Sequence, residues 1–414
     1  MTVPATAAGR PSPRPSPVAI VTALALLLGL QPVTTDLYLP ALPALTADFA
    51  APMARAQLTL SALMFAFGIS QLLMGPLADR FGRRPVMVGG LTLYAAASAG
   101  SAAAASIETL VGWRMLQGIG MAAAVVCARA MVRDLFEPHD GARIMSKALS
   151  GLGVIALSCP VVGGLVASAF GWRSSLAVTG IFAAGTLAIV LASMPETLRQ
   201  PNPKALHLAP MFITWWRIAR NPTFLAWSLL TACTYAGLYT YLAGSAFVYI
   251  DVLGVSRGAY GLFLGTSSVA YLTGTVWCRR WLLRHGLAGA VKRGAFFTLA
   301  GGLGMAALSL AGAHNPWAIA LPQLLFAFGH GLHQPCSQAA VSGPFPANAG
   351  AASALAGFML ALAAVAIGAW LGVSMNGTVY PLTLTVGAMA VLTAAVAWTL
   401  VQRHGETAPA SAAG

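Results

Sequence analysis

Apolar runs of about twenty residues, repeated from one end of the chain to the other, constrain this fold more than any other feature. A membrane-spanning helix needs about 20 apolar residues. Candidate segments lie near 18–39, 57–78, 86–106, 109–132, 146–169, 174–194, 222–246, 257–278, 294–312, 317–340, 351–373 and 379–401. With 58% hydrophobic and 8% charged residues, a soluble domain could not hide that much apolar surface. The chain therefore reads as an all-α integral membrane protein of twelve transmembrane helices. The longest polar interruption, PETLRQPNPKALHLAPMFITWWRIARNP at 195–222, divides the spans into two sets of six. The expected parts are a tail at 1–17, a half at 18–194, a central loop at 195–221, a second half at 222–401 and a tail at 402–414. Trp215, Trp216, Arg217 and Arg220 in the central loop suit an amphipathic segment on the membrane surface.

A net charge of +13 raises nucleic acid as a partner, but its distribution argues against one. If the N-terminus is cytoplasmic, all 23 Lys and Arg except Arg55, Arg173, Arg257 and the within-span Arg114 fall on the cytoplasmic side. Such a bias places both termini inside, so the basic balance is topology. The first apolar run follows Arg10 and Arg14 in the manner of a secretory signal, yet eleven spans follow it and no small-residue cleavage site stands out. An uncleaved helix is expected. Cys127, Cys159, Cys233, Cys278 and Cys336 lack metal or redox spacing and read as packing residues. Two parallel six-helix halves around a midplane site is a transporter arrangement. The expected partners are lipid bilayer and a small molecule.

The most specific string is GPLADRFGRRP, 75–85. Gly75 would let helices pack closely, Gly82 supplies a tight turn, Pro85 suits the first turn of the next helix, and Asp79 sits among Arg80, Arg83 and Arg84. The matching place in the second half, TGTVWCRRWLLRHG, keeps a glycine and basic residues but no acid, a weak internal echo. Within LVGWRMLQGIGMAAA, 110–124, Arg114 precedes Gln117. A buried guanidinium keeps its proton and needs a partner or water; alternatively, the side chain snorkels to the interface. In GLGVIALSCPVVGG, Pro160, Gly163 and Gly164 make a kinkable, closely packing helix.

Only ten acids exist, and Asp48, Asp79, Glu108, Asp134, Glu137, Asp140, Glu196, Asp251 and Glu406 fall in loops or at helix ends. Asp36, in TDLYLPALP, is the one placed inside the bundle. A mid-bilayer Asp costs roughly 2.5 to 3.5 kcal/mol and marks a functional site by default. Burial disfavours its charged form and a nearby Arg114 would favour it, an opposition that ties protonation to conformation. The alternative ends the first span near residue 35 and leaves Asp36 in an outer loop before Pro40 and Pro43. His330 and His333, one turn apart in FAFGHGLHQPCSQ, have three readings: a substrate contact, a second titrating site, or polar groups satisfied between helices. No third ligand lies near them, so no metal site is expected. Tyr38, Met64, Phe65, Gln117, Tyr235, Tyr239 and Phe326 are further cavity candidates, with packing the commoner role for aromatic and Met residues in such bundles.

GPLADRFGRRP resembles the loop signature of the major facilitator superfamily, LVGWRMLQGIG resembles the fourth-helix signature of its proton-coupled members, and GLGVIALSCPVVGG loosely resembles the fifth-helix antiporter signature, with Cys159 where a glycine stands. Together with TDLYLPALP, ARAMVRD, PETL and SAFVYIDVLGVS, the chain resembles the bicyclomycin and chloramphenicol resistance family of drug:proton antiporters. The resemblance implies a major facilitator fold in the bacterial inner membrane, a monomer, no cofactor beyond protons as coupling ion, and drug-like substrates. It implies that Asp36 carries protons with Arg114, and that Gly75, Asp79, Arg80, Gly82, Arg83, Arg84 and Asp134 form a conformational latch. In that latch Asp79 would pair with Arg83 and meet the N-terminal end of span eleven near Ala349 to Ser353. The rivals are a transporter of one metabolite and, in another class, a membrane-embedded enzyme, for which the clustered acids, histidines or nucleophile are not offered.

Overall fold

The computed structural model describes residues 17–198, 200–203 and 205–405. Almost all of the tail expected at 1–17, with Arg10 and Arg14, lies outside the described residues, as do Arg199, Lys204 and the end of the second tail with Glu406. Apart from two 3-10 turns and a π-helical turn at Phe247–Val252, every regular element is an α-helix. The first half holds α1 (Pro17–Thr35), α2 (Leu42–Asp48), α3 (Met53–Phe81), α4 (Arg83–Ala102), α5 (Ile107–Leu135), α6 (Pro138–Phe170) and α7 (Trp172–Ser193). The central loop carries α8 (Leu208–Ala219). The second half holds α9 (Pro222–Ala246), α10 (Arg257–Leu310), α11 (Pro316–Ser342), α12 (Ala349–Ser374), α13 (Tyr380–Trp398) and α14 (Leu400–His404).

Local signals set these boundaries. Ser106 and Thr109 form a reciprocal capping box that starts α5, with both bonds at 3.2 Å. The Asn315 carboxamide accepts from Trp317 N at 3.1 Å and Ala318 N at 3.0 Å to start α11, and Asn221 does the same for Phe224 N at 3.0 Å ahead of Pro222. Eight stretches are long and apolar enough to cross a membrane: 18–48, α3, α5, 143–170, α7, α10, α12 and 380–404. The remaining long helices, α4, α9 and α11, are diluted by hydroxyl, tyrosine, glutamine and histidine side chains.

Two expected boundaries change. The span expected at 18–39 breaks after Thr35 and continues as a 3-10 turn, Leu39–Ala41, and α2. The spans expected at 257–278 and 294–312 are two arms of α10 broken only at Gly286, whose φ is +66°. Arg279, Arg280, Arg284, Lys292 and Arg293 therefore project from helix ends instead of from a loop.

Two helix pairs join the halves, α3 with α12 and α6 with α10. Glycines make both contacts close: Gly372 meets Ala54, Gly368 meets Ser61, Gly68 meets Ala361 and Gly357 meets Gln71. In the other pair Gly261 meets the Pro160 carbonyl, Gly164 the Arg257 carbonyl and Gly153 Leu272. These contacts run from the Asp48 end of the bundle to its middle, where Gln57 Nε2 also donates to Ala243 O at 2.8 Å across the halves. Gly75, expected to pack closely, has nothing within 4 Å of where a side chain would begin. No neighbouring helix lies in that direction, so the missing side chain at Gly75 serves no close approach.

Candidate functional site

The break in α1 makes the site. Pro32 and Pro40 flank TTDLYL, and Asp36 sits in the turn with its backbone N–H donating to Pro32 O at 2.8 Å. The Thr35 hydroxyl, 2.7 Å from Asp36 Oδ1, is also 3.0 Å from Gln31 O and shares its proton between them. The carboxylate is half-buried, neither deep in a helix nor in a free outer loop. It lies within electrostatic reach of Cys159 on α6 and of Tyr235 and Tyr260 on the second half. Asp36 therefore stands where the two halves meet.

Arg114 is 0% exposed, which excludes the snorkelling alternative. Its Nη1 donates to Gln117 Oε1 at 2.6 Å and its Nη2 to Thr34 O at 3.1 Å, while the guanidinium carbon lies 4.6 Å from the centre of the Tyr38 ring. The expected proximity to the carboxylate takes another form: none of the described ion pairs joins Arg114 to Asp36. Arg114 instead grips the backbone two residues before Asp36 and so fixes the break. A buried cation without a carboxylate is held here by dipoles and a π face; its Nε has no partner.

The network around Arg114 reaches α1, α3, α4 and α7. Gln117 Nε2 donates to Ser98 Oγ at 2.7 Å and lies 3.3 Å from Thr179 Oγ1. The Thr34 hydroxyl donates back to Leu30 O and Tyr94 OH donates to it at 2.5 Å; Tyr38 OH lies 3.2 Å from Thr59 Oγ1. Gly118 against the Leu63 carbonyl and Gly120 against Gly90 let α5 approach α3 and α4 closely enough for these bonds. Sequence reasoning missed Thr34, Tyr94, Ser98, Thr179 and Gln57. On a helix a hydroxyl bonds its own preceding turn as readily as a neighbour, so nothing local distinguishes them.

The antiporter-helix residues fall on both seams. Gly163 lies against the Leu37 backbone beside the α1 break, and Gly164 against the second half. Among the cavity candidates, Tyr38, Met64, Tyr235 and Tyr239 are buried, whereas Phe65 is exposed. Tyr235 also reaches the Gln31 side chain across the halves. The Phe326 ring packs into the hollow left by Gly237, and Gly301 lies against the Phe326 backbone. His330 faces α9, with Nδ1 3.2 Å from Thr234 Oγ1 and its ring among Tyr235 and Tyr271. His333 turns away to Thr298 on α10, with Nε2 at 3.1 Å. The two histidines do not form one site. Cys278 and Cys336, read as scattered packing residues, bring their thiol sulfurs to 3.4 Å.

At the Arg83 end, Arg83 Nη1 meets Asp79 Oδ1 at 2.5 Å and its Nε meets Asp134 Oδ2 at 3.1 Å. Gly82, at φ +105°, makes the turn. Glu196, absent from the expected latch, caps the start of α4: its carboxylate accepts from Arg83 N at 3.0 Å and Arg84 N at 3.1 Å, and from Thr197 N and Leu198 N at 2.8 Å. The PETL string pointed at it. Arg84 Nε bonds Met194 O at 2.9 Å, and Arg80 is exposed, reaching Pro203 O at 3.4 Å. Against the start of α12, where Asp79 was expected, the Arg133 guanidinium packs on Gly350.

Comparison with known proteins agrees with this architecture. A family model described as Major Facilitator Superfamily matches residues 24–369. "Uncharacterized MFS-type transporter YdgK" of Bacillus subtilis is 29% identical over 259 residues, 61% of this chain and 64% of that protein; that match therefore spans just under two thirds of the relative. "Multidrug resistance protein D" of Escherichia coli K12 is 27% identical over 340 residues, 82% of this chain and 85% of the relative. "Bicyclomycin resistance protein homolog" of Haemophilus influenzae is 23% identical over 387 residues, 93% and 96%. In fold the chain is similar to a crystal structure of a D-xylose-proton symporter, with TM-score 0.73 at 20% identity, covering 95% of this chain and 100% of that one.

Proposed function

The chain belongs to the major facilitator superfamily, and from that premise we propose that it exports drug-like or amphiphilic small molecules across the bacterial inner membrane in exchange for protons. Names of its relatives, a multidrug resistance protein and a bicyclomycin resistance protein homolog, support the substrate class. The observation that carries the coupling is the position of Asp36: a lone carboxylate in a helix break between the halves, with Arg114 holding the backbone just before it. A proton entering from outside neutralises Asp36 and favours release of substrate; its departure inward resets the site. Because the proton acts on the conformational equilibrium, neutral compounds are exported as well.

In this reading twelve helices span the membrane: the eight apolar stretches, with the two arms of α10 counted separately, and α4, α9 and α11. The Arg83 end, where Lys and Arg gather, faces the cytoplasm together with both termini. The close glycine contacts between the halves at the Asp48 end support an inward-facing state. Tyr38, Gln117, Tyr235, Tyr239 and His330 line the route of the substrate, and the protein works as a monomer without a cofactor.

The test is proton movement in inside-out vesicles with an acidified lumen, using a panel of toxic amphiphiles and comparing wild type with Asp36→Asn at equal expression. Compounds should release lumenal protons from wild-type vesicles and not from the variant. An equal response from both would move the proton site elsewhere, and silence toward every compound would favour a transporter of one metabolite.

A further inference from the structure

The second half carries no Asp or Glu between residues 252 and 405, a stretch described throughout. The one described acid of that half, Asp251, lies within electrostatic reach of Arg257, which lines a surface hollow with Asp48; Arg279, Arg280, Arg284, Lys292, Arg293 and Arg403 are in none of the described ion pairs, all of which lie in the first half. Bare positive charge at the cytoplasmic end would satisfy topology alone. Part of it, however, is gathered into a shaped cleft of ≈ 500 Å³ between the Gly286 break of α10 and the end of the bundle, lined by His285, Gly289, Lys292, Arg293, Phe296 and Gln402.

The cleft is held open by specific bonds. Arg293 Nη1 donates to Gly289 O at 3.0 Å, which ties its guanidinium along the wall. Gln402 Nε2 donates to Ala288 O at 3.1 Å and Ala397 O at 2.9 Å, which fixes the α14 side, and Trp398 Nε1 donates to Lys292 O at 2.9 Å. Gly289 forms the floor, where a side chain would run into His285 and the Arg293 guanidinium. On the apolar rim Phe296 is 59% exposed and packs against Trp398 with centroids 4.9 Å apart and the rings tilted by 49°. Cations in a pocket next to the exposed Phe296 and half-buried Trp398 match an amphiphile with an anionic head and an apolar tail.

We propose that this cleft binds the phosphate headgroup of an anionic phospholipid, with phosphatidylglycerol the simplest case, between Lys292 and Arg293, the acyl chains lying along Phe296 and Trp398. Only the assignment to the cytoplasmic leaflet rests on the orientation proposed above. The lipid supplies the counter-charge that residues 252–405 lack, and it fixes the junction of the two α10 arms.

Native mass spectrometry of the full chain in a non-ionic detergent, titrated with phosphatidylglycerol, phosphatidylethanolamine or inorganic phosphate, tests this. Phosphatidylglycerol should bind at least about tenfold more tightly than phosphatidylethanolamine, and Lys292→Gln/Arg293→Gln should weaken it about 30-fold. Gly289→Leu, which keeps every charge and fills the floor, should weaken it about tenfold or more. Arg279→Gln/Arg280→Gln, removing two charges outside the cleft, should change it less than about threefold. Equal losses from the two double variants would reduce the effect to diffuse charge and overturn the site, as would equal binding of the zwitterionic lipid. Displacement of the lipid by millimolar inorganic phosphate would make it a free-phosphate site. The charge variants are on exposed or half-exposed positions, so they remain informative if Gly289→Leu does not fold. With neither drug nor proton gradient present, failure here leaves the efflux reading untouched.

Discussion

At the Arg83 end the two halves use one backbone device in two chemical ways. In each, the second and third long helical segments meet at a glycine of positive φ, +105° at Gly82 and +66° at Gly286. Around Gly82 the charges close on one another: Arg83 takes Asp79 and Asp134, and Glu196 takes four backbone N–H groups. Around Gly286 there is open space, and the described residues after Asp251 include no acid. A network satisfied internally can break and re-form as the halves rock, so it suits a latch. Cations left open must be neutralised from outside and suit an anchor.

Arg83→Gln should have the largest effect. It removes the centre of two part-buried ion pairs, so we expect a loss of roughly 1 to 3 kcal/mol, discounted from a fully buried pair for solvent access, and about a tenfold fall in drug export. Lys292→Gln, on the second half, should leave thermal unfolding in detergent within about 0.5 kcal/mol of wild type. Equal behaviour of the two would break the comparison. Next, Gly82→Ala should cost about 1 to 3 kcal/mol for a backbone region that only glycine enters readily, and more than Gly286→Ala. At Gly82 the new methyl also strikes the Glu196 carboxylate, while nothing lies within 4 Å at Gly286. A reversed order in unfolding temperatures would mean that Glu196 does not hold the turn.

Glu196→Gln should then cost about 1 kcal/mol, the size of a helix cap, because one carboxamide oxygen replaces two carboxylate oxygens. Smallest of all, Gly75→Ala should shift stability by less than about 0.5 kcal/mol, since the added carbon meets open space. A large loss would mean that a neighbouring helix packs against Gly75 in the resting protein.

The helices were legible because lipid demands long apolar runs and this chain supplies them. The α1 break was legible only as an alternative: TTDLYLP carries the proline and hydroxyl signals of a stop, but the stop is followed by α2, which no periodicity in so short a segment reveals. The α10 arms were set apart by the basic stretch 279–293, yet arginine and lysine are good helix formers and only Gly286 interrupts them. At the site, spacing picked out Asp36 and Arg114 but could not say that the guanidinium binds a backbone carbonyl instead of the acid. Glu196 was visible in PETL without a role, because its partners are backbone groups 112 and 113 residues away.

The central claim is that Asp36 exchanges a proton for substrate, and it is tested most directly on purified protein in weakly buffered detergent. Once a vesicle screen has given a transported compound, its addition to the wild type should release protons in proportion to the binding sites filled. Asp36→Asn should bind the compound and release none. Proton release from the variant equal to wild type would contradict the account and take the coupling away from the α1 break.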